Sequence, residues 1–227
     1  MLDWFIANKE ILKLIYAFII VFICFIIVIR THRLFKLSLH QGIRYFRNAF
    51  LFYGLGFFVR YILGTPYLGK WLRIDALISG GIFAFFLMMA GFFLLYSLIW
   101  RKIESENKTH LSSLINGKIL IFYLMAIVLI VLGGLWETHY FIFLSQIFVF
   151  SFAVIISFNN YIQNGTKGKF LKYYFVAMLL SLVAWALNFL VALYFNWDQA
   201  ILSGIYIINL IIFFLFLFGV VRVARVK

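Results

Sequence analysis

The sequence predicts an all-α integral membrane protein, a bundle of seven transmembrane helices, and three observations carry that prediction. Hydrophobic residues make up 66% of the chain and charged residues 12%, where a soluble domain averages roughly 25% charged. Seven continuous apolar stretches recur, at 11–29, 43–63, 74–99, 118–135, 140–158, 171–195 and 200–221. Most approach or exceed the ~20 residues one helix needs to cross a bilayer. The short polar segments between them carry positive charge that alternates along the chain. A transmembrane barrel would instead show ~10-residue alternating segments.

The first span has a nearly neutral upstream flank (Asp3, Lys9, Glu10, Lys13) and a basic downstream one (Arg30, Arg33, Lys36). That is the reverse of a cleaved signal peptide, so the span is expected to stay as an anchor. It holds the single cysteine, Cys24, which excludes an intrachain disulfide or a cysteine metal cluster. The second span opens on Arg44, Arg47 and Asn48 and carries Arg60 near its far end. In the second and third, Gly54, Gly56, Gly80 and Ala84 suit close helix approach. The fourth is almost wholly apolar. The fifth contains Gln146; the sixth places Ser181, Trp185 and Asn188 on one face; the seventh does the same with Ser203, Tyr206 and Asn209.

Loop charge sets the orientation. Numbered alternately from the N-terminus, one side receives 15 of the 20 lysines and arginines, and the other receives five of the seven acids. The positive-inside bias then places the N-terminus outside and the C-terminus in the cytoplasm of a multi-pass cell-membrane protein. Trp4, Trp71, Trp136 and Trp197 fall at the predicted outer boundary and Trp100 at an inner one, as an aromatic belt would. The +13 charge is spread thinly over four cytoplasmic segments, where it suits anionic lipid headgroups; a nucleic-acid partner would want a contiguous basic face. The polar segments are too short for a soluble domain, which needs ~50 residues at least, so residues 1–227 read as one transmembrane domain.

A three-helix repeat is also suggested. Ala76-Leu-Ile-Ser79-Gly80 matches Ala200-Ile-Leu-Ser203-Gly204, 124 residues on. Three spans, a linking fourth and three more would give two parallel halves, an arrangement known among transporters. Chains this rich in Ile, Leu and Phe also align with themselves by composition alone.

Polar groups in lipid are costly and mark candidate sites. Asn188, Asn209, Gln146, Tyr206 and Trp185 point toward the outer half, and Arg60 offers a donor fork for an anion. One reading is an outward-facing ligand pocket. The other is interhelical hydrogen bonding, worth ~0.6 kcal/mol per group, with Arg60 snorkelling outward. At the cytoplasmic face Arg30, Arg33, Arg44 and Arg47, with His32 and His40, form the densest basic cluster. It suits lipid headgroups, an acidic cytoplasmic protein partner, or gating.

Absent motifs narrow the field. The seventh span has no lysine for a retinal Schiff base, no Asp or Glu lies deep in a span, and no H-E-x-x-H, G-x-S-x-G or P-loop occurs. All four histidines lie in loops or at span ends, so no in-membrane haem pair is expected. The single proline, Pro66, lies in an outer loop, so no span carries a proline kink. These features predict a protein that is not an enzyme and holds no cofactor or metal. Three functions remain: a receptor-like protein with an outer ligand site and a cytoplasmic partner, a small facilitative transporter of an uncharged or anionic solute, or an accessory subunit of a larger complex, with a homo-oligomer open in each case.

Overall fold

The computed structural model describes residues 9–64, 76–103, 114, 117–136, 138–164, 169–194 and 199–225. All regular structure among them is helical: α1 (Lys9–Ser38), α2 (Gln41–Phe57), α3 (Ala76–Ile103), α4 (Gly117–Leu135), α5 (Tyr140–Asn164), α6 (Lys169–Tyr194) and α7 (Gln199–Arg225). Six of these, all but α2, are long and apolar enough to span a membrane. The chain is a multi-pass helical membrane protein.

The second element differs from a plain span. Its α-helix is 17 residues long and then widens into a π-helical segment, Phe58–Leu63. The widening is visible in the backbone: the Gly64 N–H reaches the Val59 carbonyl, five residues back, at 2.9 Å. Polar residues also interrupt its apolar character, since Arg44, Arg47 and Asn48 crowd its first turns. At the other helix ends, α1 outlasts its apolar stretch by nine residues, because Arg30–Ser38 continues as helix. There the chain turns sharply into α2 through Leu39, which adopts a left-handed φ of 53° and caps α1 by donating to the Phe35 carbonyl at 2.8 Å.

Six helices close a ring. α1 packs on α2, α2 on α3, α3 on α5, α5 on α6, α6 on α7, and α7 returns to α1. The fourth helix stands outside this ring, in the groove between α3 and α5. Its buried residues, Ile119, Ala126 and Gly133, recur every seventh position, a single narrow stripe. Leu120, Ile121, Leu124, Val128 and Val131 face outward. Because α4 returns the chain between them, α3 and α5 run in the same direction, as do α7 and α1.

Aromatic rings fill the ring's interior. A continuous series runs from Tyr206 to Tyr16 (4.8 Å between centroids), Phe57 (5.8 Å), Phe213 (5.9 Å), Phe50 (6.0 Å), Phe216 (5.1 Å) and Tyr174 (5.8 Å). Most of these pairs are edge-to-face, the geometry that aligns a ring's positive edge with its neighbour's negative face, worth about 0.5–1.5 kcal/mol per pair. Apolar side chains gain nothing from leaving lipid, so shape-matched contacts of this kind hold membrane helices together.

Candidate functional site

Below this aromatic column, where the series ends at Tyr174, a cavity of about 410 Å³ opens at one end of the ring. Every ring helix contributes to its wall: Thr31 from α1, Phe46 from α2, Ser97 from α3, Asn160 from α5, Tyr174 from α6 and Val220 from α7. Its size falls within the ~300–1,000 Å³ usual for small-molecule sites. This is the end where Arg30, Arg33, Arg44 and Arg47 lie, so it is the basic end of the molecule.

Two of the cavity's hydroxyls are fixed by their own helices. Thr31 donates its hydroxyl proton to the Ile27 carbonyl at 2.6 Å. Ser97 donates to the Leu94 carbonyl at 2.6 Å, and its Oγ lies 3.1 Å from the Tyr174 hydroxyl, which also reaches Leu94 O at 3.4 Å. This link joins α3 to α6 across the ring. The wall is completed by His40, whose ring meets Trp100 edge-on at 4.9 Å. Gly42 makes that corner feasible, because a Cβ there would come 2.6 Å from Trp100 Nε1 and 3.0 Å from the Ser97 carbonyl oxygen.

The polar residues of the opposite half fall into separate groups. Tyr206 and Asn209 of α7 meet α1 and the π-helical segment: Tyr16 lies 4.8 Å from Tyr206 and 6.1 Å from Tyr61, ring to ring. The Tyr16 hydroxyl is buried beside the Asn209 amide without closing a hydrogen bond of normal geometry. Gln146 of α5 is fully buried against Gly91 of α3, where any Cβ would overlap its amide, and neither amide atom has a hydrogen-bond partner among the described residues. Asn188 turns back onto its own helix and donates to the Ala184 carbonyl at 2.8 Å. Trp185 packs on Phe143 at 6.0 Å. Arg60 is exposed, with its guanidinium 5.9 Å from the Phe83 ring centroid. The structure therefore brings Tyr206 and Asn209 together with two tyrosines that the sequence did not single out as site residues. Arg60 lies next to Tyr61 and shares its Phe83 neighbour, while Gln146 and Asn188 are engaged against Gly91 and Ala184. The Ser203 side chain, Pro66, Trp4, Trp71 and Trp197 lie outside the described residues.

The basic residues divide as well. Arg47 donates to His32 Nδ1 at 2.9 Å and to the neighbouring Asn48 Oδ1 at 3.2 Å. A guanidinium has no acceptor, so Nδ1 must accept and the His32 ring carries its proton on Nε2. Arg44 lies over Phe35 at 5.8 Å, so both arginines fasten α2 to α1. Arg30 and Arg33 are exposed. Arg222 of α7 donates to the Tyr173 hydroxyl at 2.8 Å.

Thr31, Ser97, Asn160 and Tyr174 were not singled out by the sequence. Each is ordinary alone, and the cavity exists only because six helix ends converge; the one available signal was that all four lie near span ends on the same side.

Among known proteins, the chain is similar to an uncharacterised protein of Archaeoglobus fulgidus, 35% identical over 99 residues that cover 40% of this chain. The match spans 44% of that relative's length. No family model and no solved structure matches.

Proposed function

We propose that the protein is a small facilitative carrier, crossing the bilayer seven times with its basic end in the cytoplasm. The observation that carries this reading is the cavity walled by all six ring helices at the end of the aromatic column, the arrangement an inward-open carrier would have. A solute site at the meeting of two bundles, reached from one side at a time, is the common plan of such proteins. The ring order supports two parallel halves, α1–α3 and α5–α7, because the α3/α5 and α7/α1 contacts are equivalent under a two-fold axis. In that scheme α2 and its π-helical segment supply the second crossing, and π-helical turns are common at functional sites.

The test is reconstitution of the full chain in liposomes with a counterflow assay, joined to cysteine accessibility. In a Cys24→Ala background, Asn160→Cys should label from the cytoplasmic side with an impermeant thiol reagent. A transported solute should lower that labelling and raise labelling of Tyr206→Cys from outside. Labelling that never changes sides would sink the carrier reading.

A receptor-like role is the second reading, favoured by the Tyr16, Tyr61, Tyr206 and Asn209 cluster on the opposite half. It predicts ligand-dependent protection of Tyr206→Cys with no counterflow.

A further inference from the structure

We infer that the cavity takes an uncharged solute that donates hydrogen bonds, and not an anion. The inference rests on the cavity being the solute site, as the carrier reading has it. Two features of the wall carry it.

The first is where the hydroxyl protons go. Thr31 and Ser97 each spend their single proton on a carbonyl of their own helix, at 2.6 Å in both cases. What these groups retain is oxygen lone pairs, which accept. The Tyr174 hydroxyl is turned toward Ser97 and Leu94, so it too is occupied within the wall. At Thr31 and Ser97 an anion, which offers only lone pairs, would meet like with like. A solute bearing N–H or O–H groups complements these oxygens.

The second feature is charge. Among the described residues, the wall contains no Asp, Glu, Lys or Arg. A charge brought into it would be desolvated without a counter-ion, a cost far above that of burying a neutral polar group. Cations, which do donate, face a second barrier. The nearby basic end carries Arg30, Arg33, Arg44 and Arg47, and that field repels them before entry. Arg47 and Arg44 stay occupied with His32, Asn48 and Phe35, so they fasten helices and are not needed to hold an anion. The Phe46 and Tyr174 rings in the wall, 5.8 Å apart, give a flat or apolar face something to rest on.

The experiment measures binding to the purified full chain by calorimetry at physiological salt, with four probes: uracil, glucose, 1,3-dimethyluracil and uridine monophosphate. Uracil or glucose should bind. Dimethyluracil keeps uracil's shape but has no donor, and should bind at least about tenfold more weakly than uracil; the monophosphate should be weaker by a similar margin. Val220→Phe, which fills the cavity from α7, should abolish binding while circular dichroism stays unchanged. If that variant misfolds, Ser97→Ala should weaken uracil or glucose binding instead. Equal binding of uracil and dimethyluracil, tighter binding of the monophosphate, or no binding of either uncharged donor would overturn the inference. Donor-selective binding without counterflow in liposomes would leave this chemistry standing and overturn the carrier reading alone.

Discussion

The hydroxyl of Tyr174 on α6 meets Ser97 Oγ on α3 at 3.1 Å, a polar link across the interior of the ring. It ties α3 to α6 where the cavity meets the aromatic column. Removing it by Tyr174→Phe should cost about 0.5–1.5 kcal/mol, read as a lower unfolding temperature in lipid nanodiscs. A double-mutant cycle with Ser97→Ala should show that the two losses overlap; strictly additive losses would mean that the hydroxyls do not act together.

Gly91 and Gln146 form a second pair of opposite character. The glycine admits the amide, yet neither amide atom finds a partner. Replacing a buried unpaired polar group by an apolar one of similar size removes its desolvation cost. Gln146→Met should therefore leave thermal stability unchanged or raise it by about 1–3 kcal/mol. Gly91→Ala should lower it, and pairing that change with Gln146→Ala should restore it.

At the α1–α2 turn, Leu39 holds a left-handed conformation that costs a side-chain-bearing residue about 1–2 kcal/mol. Its side chain is 72% exposed, so little packing is lost on removing it. Leu39→Gly should stabilise the protein by about 1 kcal/mol, measured by heat denaturation, and a drop in stability would show that the leucine side chain contributes to anchoring.

Gly42 sets the width of the cavity corner. Gly42→Ala places a methyl against the Trp100 indole and the Ser97 carbonyl. Overpacking of this kind typically costs about 1–3 kcal/mol. Solute binding should fall more than stability does, and a variant that binds normally would mean that Trp100 swings away freely.

Much of the fold was legible. The apolar stretches at 118–135, 140–158 and 171–195 correspond closely to α4, α5 and α6. Hydropathy marks where lipid begins and not where a helix ends, which is why α1 and α5 run past their stretches through basic or polar residues. The order of helices in the ring was not legible, because apolar residues face lipid and neighbouring helices alike. In hindsight composition held a clue: α4, the most uniformly apolar helix, is outermost, while α2, interrupted by Arg44, Arg47, Asn48 and Gly56, is wrapped by its neighbours. The candidate site was less legible still. Single polar residues such as Asn188 look alike on paper whether they bond their own helix or meet another, and only packing decides.

One consequence of the outlying fourth helix concerns the bilayer itself. At 19 residues it spans about 28 Å, close to the ~30 Å hydrocarbon thickness, whereas the 26-residue α6 reaches about 39 Å. Long helices adapt to a thick membrane by tilting less, but a helix already near the minimum has no length in reserve. Being held by one narrow stripe, α4 also has few contacts with which to resist a mismatch. Thickening the membrane by a few ångströms should strain this helix first, at fractions of a kcal/mol per ångström, and lipid chain length should then alter how firmly the groove between α3 and α5 is filled.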